Sequence, residues 1–201
     1  MQFTIATLLA AISAVSAAPA ALPSDAPASE LKFGIMAIRS ASPIHYGQVN
    51  ASGQKFFIGV EPSAYCPVPP VPAGACPSGK YTSMVGDSSL SLNVMVPGGQ
   101  RIYIDADGSL SYTQAHSAFM PPGAVTDGFT IGPVQENTLR HISHSKGGFY
   151  ACPAKKDQAP WKIFVGQPTD AAAPSGSASD CLPFSATAVE FKTEQFGAWQ
   201  Y

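Results

Sequence analysis

The chain has 201 residues, a formal net charge of −2 and only 12% charged residues, against roughly 25% in ordinary globular domains. So little charge offers no electrostatic attraction to nucleic acid or to an anionic membrane surface, and neither is expected as a partner. The length suits one domain with a substantial hydrophobic core.

The beginning of the chain has the features of a secretory signal peptide. Residues 3–15 are almost entirely apolar and small residues follow up to Ala17, although no Lys or Arg precedes the run. The run is too short to span a bilayer well, and it stops before Pro19. We therefore expect a signal peptide over residues 1–17, a secreted protein, and an Ala/Pro-rich linker over residues 18–30.

Short apolar segments between turn residues predict an all-β domain over residues 31–192. No window of a dozen residues shows helical periodicity free of Gly or Pro, so about ten short strands are expected in a single β-sandwich or barrel-like domain. The spacing of the strands does not distinguish between these two architectures. The residues that follow, 193–201, are predicted to form a C-terminal tail. Strands are expected at residues 31–39, 46–50, 55–60, 90–96, 101–104, 109–113, 128–131, 138–142, 149–152, 161–165 and 187–192.

Side-chain alternation indicates which strand faces point into the core. In residues 90–96, leucines and valines alternate with Ser, Asn and Met. Farther along, Trp161, Ile163 and Val165 fall on one face of their strand. Residues on alternate positions of a strand share a face, so both segments are expected to bury an apolar face.

Two long segments lack this pattern and are predicted to be loops. Residues 61–80 contain six prolines, which cannot donate ladder hydrogen bonds. Residues 167–180 are low in complexity and are expected to form a flexible surface loop.

Four cysteines, Cys66, Cys76, Cys152 and Cys181, follow the predicted signal peptide. An even number in a secreted chain favours two disulfides. Of the three possible connectivities, Cys66–Cys76 and Cys152–Cys181 are favoured because each joins neighbours in sequence around a loop rich in Pro, Gly or Ser. The chain has no CxxC pair and no His near a Cys, so no metal site is predicted.

Residues 105–108, Asp-Ala-Asp-Gly, resemble the start of a calcium loop. The later ligand positions are occupied by Ser109 and His116, which do not complete the EF-hand pattern. We therefore predict a hairpin turn, for which Asp and Gly supply the backbone conformations.

No catalytic residue and no cofactor is predicted. His141 and His144 would point to opposite faces of a strand and are expected to be exposed, with His45 and His116 elsewhere in the chain. The chain has no G-x-S-x-G motif. Several carboxylates lie in predicted turns without a recognisable catalytic context: Asp87, Asp105, Asp107, Asp127, Asp170 and Asp180.

Two further features concern the surface. Asn50 begins an N-x-S sequon in a predicted turn, where a glycan is expected. Large aromatic side chains on half-buried strands are expected to fill the core and not to form an exposed row for sugars. These aromatics are Tyr103, Tyr112, Phe129, Tyr150 and Trp161.

Three pieces of the chain together resemble the fungal cell wall protein PhiA family. They are FGIMAIRSASPIHY at residues 33–46, DGSLSY at 107–112, and GFYACP at 148–153 with a later Asp-Cys ending at Cys181. The resemblance implies a secreted wall protein associated with phialide and conidium development, without known catalytic activity, in a family that includes IgE-binding allergens. Residues 61–80 do not align with the family pattern, and residues 191–201 look like an extension.

A looser similarity relates residues 128–164 to the C-terminal domain of Pir-type wall proteins. The chain has no Q-x-x-DGQ-x-Q repeat, so the glutamine-derived ester linkage of those proteins to β-1,3-glucan has no support. The expectation is a non-catalytic structural wall protein that contacts glucan, chitin or other wall proteins. The alternatives are a secreted carbohydrate-binding module or effector and, third, a hydrolase.

Overall fold

The computed structural model describes residues 31–133, 139–192 and 196–201. The predicted signal peptide and linker lie outside these residues. Apart from two short 3-10 turns, Ala73–Ala75 and Ala178–Asp180, the described residues contain only strands and loops, and none of them forms a helix able to cross a membrane. The strands are β1 (Phe33–Ile38), β2 (Gln48–Ser52), β3 (Lys55–Ile58), β4 (Met84–Gly86), β5 (Leu90–Leu92), β6 (Gln100–Ile104), β7 (Leu110–Tyr112), β8 (Phe129–Ile131), β9 (Arg140–His144), β10 (Phe149–Lys155), β11 (Gln158–Val165) and β12 (Leu182–Glu190).

The sheet closes into a barrel, which decides between the two architectures that strand spacing leaves open. Nine strands form the closed antiparallel ring in the order β1-β4-β5-β6-β7-β3-β11-β10-β12 and back to β1. Strand β2 pairs with both β1 and β3, and the β8–β9 hairpin extends from β12. Closure leaves few open strand edges.

The ring closes along the pairing of β1 with β12. Six residue pairs run from Phe33 with Glu190 to Ile38 with Ser185. Inside the ring lies one contiguous hydrophobic core. The apolar face of β11 is buried there, as are the leucines and valines of residues 90–96, so both predictions from alternation are confirmed.

The segment predicted as a flexible surface loop is instead folded against the outside of β10 and β11. Phe164 points away from the barrel interior, yet it is fully buried beneath this segment with Ala173. The Asp170 carboxylate accepts a hydrogen bond of 2.7 Å from the Ala178 amide, and the disulfide at Cys181 fixes the end of the segment to β10. The low-complexity sequence is ordered because it covers an apolar side chain that would otherwise face water.

The end of the chain, predicted as a tail, also packs onto the barrel. The Tyr65 and Gln200 backbones exchange hydrogen bonds of 2.9 and 3.2 Å, and the Met95 amide donates to the Ala198 carbonyl at 3.2 Å. Ala198 is fully buried. Residues 196–201 therefore behave as an added strand between two parts of the domain.

Gln100 fixes the last residue of this segment. Its side-chain oxygen accepts a hydrogen bond of 2.8 Å from the Tyr201 amide, and its Nε2 donates to the Tyr201 carbonyl at 2.7 Å and to the Thr113 carbonyl at 3.1 Å. Gln100 is 1% exposed. A buried amide that satisfies three backbone groups joins the chain end to β6 and β7.

Candidate functional site

Among the described residues, a lysine, an aspartate and two serines lie together on the outer face of the sheet, where β3 meets the β6–β7 hairpin. The Lys55 Nζ donates to Asp105 Oδ2 at 2.9 Å, to Ser109 Oγ at 3.1 Å and to Ser111 Oγ at 2.8 Å. The register that pairs Lys55 with Ser111 brings these groups together. We call Lys55, Asp105, Ser109 and Ser111 the Lys55 cluster.

A second ion pair lies beside this cluster. The Lys162 Nζ is 3.5 Å from Asp107 Oδ2, and the Ser109 amide donates to Asp107 Oδ1 at 2.8 Å. Partial burial raises the pKa of Asp107, but hydrogen bonds from Ser109 and the charges of Lys162 and Lys55 outweigh it, so the pKa lies below its ordinary value. Asp107 is therefore held in its charged form.

The same cluster also affects Tyr103. Burial, followed by the negative charge of Asp105, raises the pKa of the Tyr103 phenol above its ordinary value. The phenol therefore stays neutral, and it adds no charge to this face.

The geometry of the Lys55 cluster determines its chemistry. An ammonium group has three hydrogens, and the three acceptors around Lys55 use all of them. One of these acceptors is the Asp105 carboxylate at 2.9 Å, so Lys55 forms an ion pair within its own sheet. The serine hydroxyls accept from the ammonium group, so neither is activated as a nucleophile.

The predicted turn at residues 105–108 is confirmed. The Gly108 amide donates to the Asp105 carbonyl at 2.9 Å, and Gly108 has a φ of 87°, which favours glycine. The Asp105 Oδ1 accepts from the Ala106 amide at 2.8 Å. The carboxylates of Asp105 and Asp107 accept hydrogen bonds from the turn backbone and pair with Lys55 and Lys162. Within the described residues, no three His, Cys, Asp or Glu side chains come together as metal ligands.

The two neighbouring histidines lie on opposite faces of β9, as predicted, but only one is exposed. His141 is exposed, and its Nδ1 lies 3.1 Å from the Ser185 hydroxyl. His144 is buried: its Nδ1 accepts from the Lys146 amide at 2.9 Å, so Nε2 carries the hydrogen and donates to the Asp127 carbonyl at 2.9 Å. Its predicted exposure is wrong because it faces inward against the ring of Phe129.

Burial lowers the pKa of His144, and the charge of Lys146 lowers it further, while the hydrogen bond to Asp127 acts in the opposite direction. The neutral imidazole is the form that fits its two hydrogen bonds. His144 therefore connects the β8–β9 hairpin to the preceding loop as a structural residue.

Asn50 lies within β2 and not in the predicted turn. It is 9% exposed, and its Nδ2, the atom to which a glycan would be attached, donates to the Val60 carbonyl at 2.9 Å. Strand β2 begins and ends two residues later than expected, which moves the sequon into the sheet. This position is unfavourable for the glycan expected from the sequence.

A shallow apolar groove of about 170 Å³ runs beside Asn50. Its walls include Met36 and Val189, and the rings of Tyr81 and Phe191 pack against each other with centroids 4.7 Å apart. The lining is almost entirely apolar and brings no titratable side chains together.

Three of the aromatic residues singled out from the sequence, Tyr112, Phe129 and Trp161, fill the interior as expected. Tyr103 is buried on the outer face of β6, and Tyr150 is half-buried against the outer cluster around Phe164. Sequence reasoning missed the aromatics that are exposed: Tyr46 is 65% exposed, Tyr65 58% and Phe119 74%. Phe119 lies in the loop after β7, beside a groove of about 740 Å³ whose lining includes Arg101 and His116.

Both favoured disulfides are present. Cys66–Cys76 spans a sequence separation of 10 within the proline-rich loop, and Cys152–Cys181 spans 29. No cysteine is free. In the chain-entropy description the two bridges contribute about 2.7 and about 3.6 kcal/mol respectively by restricting the unfolded chain.

Fold and site together define a disulfide-stabilised antiparallel β-barrel whose ionic groups hold its own strands together. The chain belongs to the family of PhiA-like secreted proteins, whose profile matches residues 33–201. A protein of Arthroderma benhamiae, described only as an uncharacterized secreted protein, is 35% identical over 155 residues, which is 76% of each chain. No solved structure matches.

The family match confirms the resemblance inferred from sequence and supports secretion. It also extends to Tyr201, so the final segment, which looked like an extension, belongs to the family domain. This agrees with the burial of Ala198 and with the hydrogen bonds of Gln100 to the chain end.

Proposed function

We propose that this protein is a non-catalytic structural component of a fungal cell wall that acts in phialide and conidium development. Membership of a secreted family supports the extracellular part of this proposal. The location in the cell wall and the role in phialide and conidium development are inferred from the resemblance to PhiA wall proteins. The IgE binding that this resemblance implies stays a prediction.

The observation that supports the non-catalytic role is that each of the three ammonium hydrogens of Lys55 has an acceptor. The Lys55 cluster has the residue types of a Ser-Lys catalytic centre, in which a neutral lysine activates a serine. Here all three hydrogens of the ammonium group are used, and one acceptor is a carboxylate at 2.9 Å. The cluster joins β3 to the β6–β7 hairpin and so supports a structural role.

The same cluster offers a test of the non-catalytic role. A Ser-Lys centre would hydrolyse an acyl group, so we expect the purified protein and Lys55→Met to release no more acetate from acetylated chitin, and to cleave an acyl ester no faster, than buffer does. Lys55→Met should unfold at a lower temperature, because Asp105 loses its partner. Acyl hydrolysis by the wild type that disappears in the variant would contradict the proposal and favour a hydrolase.

The sparsely charged surface supports contact with wall polymer or with other wall proteins through uncharged groups. All four cysteines pair within the chain, so no thiol is left for a disulfide to another wall component. Attachment is therefore expected to be non-covalent.

Fractionation of the producing cells tests the wall role. Culture medium, detergent-extractable wall and glucanase-released wall are compared by immunoblot. We expect the protein in the detergent extract, and we expect reductant to be unnecessary for its release. Release by glucanase alone would indicate covalent attachment, and recovery only in the medium would contradict the wall role.

The second candidate, a secreted carbohydrate-binding protein, is favoured by one observation. Phe119 is 74% exposed beside a groove that contains polar donors, and aromatic rings that face water can pack against sugars. Pull-down on insoluble glucan and chitin distinguishes the structural wall protein from the carbohydrate-binding protein. Strong binding that Phe119→Ala removes would favour the second candidate.

A further inference from the structure

The groove beside Phe119 lies on the outer side of β6. It is bounded by the turn at Pro97 and Gly98, by Thr113 at the end of β7, and by the loop of residues 116–120. Its volume of about 740 Å³ lies within the range of roughly 300–1,000 Å³ that is usual for ligand sites. We call it the Arg101 groove.

Positive charge in the Arg101 groove is not neutralised by a described residue. The Arg101 guanidinium is exposed and forms no hydrogen bond or ion pair within the described ranges, and no Asp or Glu is part of the lining. The nearest acidic residue along the strand is Asp105, four positions and roughly 13 Å away. Its carboxylate is already paired with Lys55.

A second donor lines the same groove. The His116 imidazole is exposed and lines the groove, and it has an N–H to donate in either protonation state. His116 has a φ of 61°, a left-handed conformation that side chains with a Cβ rarely adopt. The turn is closed by the Ser117 amide donating to the Gln114 carbonyl at 3.1 Å.

The backbone that carries Arg101 is equally well fixed. The Arg101 amide donates to Thr113 Oγ1 at 3.0 Å, and the Arg101 carbonyl accepts from the Thr113 amide at 2.9 Å. The donors of the groove are therefore attached to ordered backbone, and no residue in the described ranges bonds their side-chain N–H groups. The fixed backbone lowers part of the entropic cost of binding.

An apolar surface adjoins these donors. Phe119 stands between Ala118 and Met120, both of which line the groove, and its ring is 74% exposed. The Phe119 amide donates to Ser117 Oγ at 3.1 Å, which orders this part of the loop. An exposed ring at the border of a groove that holds a cation fits a ligand with both an apolar ring face and a negative charge.

We infer that the Arg101 groove binds a saccharide that carries an oxyanion, either a carboxylate or a phosphate. The Arg101 guanidinium binds the oxyanion through two N–H groups, His116 donates a further hydrogen bond, and Phe119 covers the sugar ring. The inference rests on the proposed function, because it names the chemical class of wall polymer that the protein contacts.

Calorimetric titration of the full secreted protein at low salt tests the inference. The three probes are oligosaccharides of equal length: one with glucuronic acid, one with phosphorylated mannose, and one neutral β-1,3-glucan fragment. We expect an acidic probe to bind more tightly than the neutral one, and the first two arms distinguish carboxylate from phosphate. Phe119→Ala should weaken binding of the acidic probe without removing its preference over the neutral one.

Arg101→Gln and Lys156→Gln form a matched pair of variants. Both remove one exposed positive charge, but Lys156 lies in the β10–β11 turn, away from the groove lining. Arg101→Gln should weaken acidic binding tenfold or more, by roughly the loss of one charge-assisted contact, whereas Lys156→Gln should change it less than about twofold. Both variants should keep the wild-type unfolding temperature.

Three results would overturn the inference: no binding of either acidic probe, equal binding of the neutral probe, or equal weakening by the two variants. Failure of the wall role is a separate outcome. A protein found only in the medium but still binding an acidic probe would contradict the proposed function alone. A wall-extractable protein that binds neither acidic probe would contradict only the site.

Discussion

Replacing Gln100 by Met tests whether the end of the chain is part of the folded domain. Methionine has a similar length and volume to glutamine but cannot form its hydrogen bonds. The change removes the bonds of 2.7 and 2.8 Å to Tyr201 and of 3.1 Å to Thr113, and it leaves buried backbone groups without partners.

The expected loss follows from these three contacts. Each buried hydrogen bond contributes about 1 kcal/mol net, so Gln100→Met should lower the free energy of unfolding by about 3 kcal/mol. For a domain of this size the unfolding temperature should fall by roughly 6–12 °C. Residues 196–201 should also lose protection against amide hydrogen exchange, since the residue holding their end is gone.

Urea and thermal unfolding under non-reducing conditions measure the effect, and Gln158→Met is the matched control. Gln158 is exposed at the start of β11, so its replacement should change stability by less than about 0.5 kcal/mol. If both variants were equally stable, or if exchange at residues 196–201 were unchanged, Gln100 would not hold the chain end and the reasoning would be refuted.

Three further predictions concern pH, the second disulfide and the sequon. The pKa of His144 lies below its ordinary value, so the contribution of this residue to stability is complete above about pH 6.5 and is lost as the pH falls from there through the folded-state pKa. The unfolding temperature should therefore fall less steeply from pH 7.5 to pH 5 in His144→Gln than in the wild type, and parallel pH profiles of the two proteins would contradict this. Replacing both Cys152 and Cys181 by Ala should lower the free energy of unfolding by about 3.6 kcal/mol for a separation of 29, as measured in urea, and a loss below about 1 kcal/mol would show that the bridge contributes little. Since the Asn50 Nδ2 donates to a buried carbonyl, intact mass spectrometry of the secreted protein should show no glycan there, and a mass shift removed by endoglycosidase would show that the Asn50 side chain faces outward.

Local features of the chain were predictable because their physical cause lies within a few residues. The turn at residues 105–108 follows from the Asp side chains, which accept hydrogen bonds from nearby backbone amides, and from the backbone freedom of Gly108. Burial of one face of β11 follows from alternation, and the Cys66–Cys76 disulfide follows from the short loop between its two cysteines. In each case the partners are close in sequence, so the pattern is visible without knowing the fold.

Features set by pairing of distant strands were not predictable in the same way. The Lys55 cluster exists because β3 pairs with β7 in a register that places Lys55 opposite Ser111, and nothing near Lys55 in sequence indicates this. Barrel closure likewise depends on pairing β1 with β12. The exposed Phe119 is one apolar residue in a loop, and the groove beside it forms only because the pairing of β6 with β7 brings residues 97–101 next to residues 113–120.

For two segments, the loop of residues 167–180 and the end of the chain, the sequence held a signal of their packing that could have been used. Phe164 is a large apolar residue on the face of β11 opposite to Trp161, so the barrel core cannot bury it. The segment that follows β11 was the nearest part of the chain that could pack over its side chain. The predicted tail contains Trp199 and Tyr201, which are costly to leave in water. Asking what buries each large apolar side chain would have identified both segments as parts of the domain.

The pairing of β1 with β12 has a consequence for biosynthesis. One edge of β1, the first strand of the domain to leave the ribosome, stays unpaired until β12 has been made, since Phe33 pairs with Glu190 across that edge, and such non-local contacts make folding slow. Before β12 is made, the barrel cannot close. Of the two disulfides, only Cys66–Cys76 can form at that stage from residues that are close in sequence. A ribosome that stops short of Leu182 would therefore release a chain with an open β1 edge ready to aggregate.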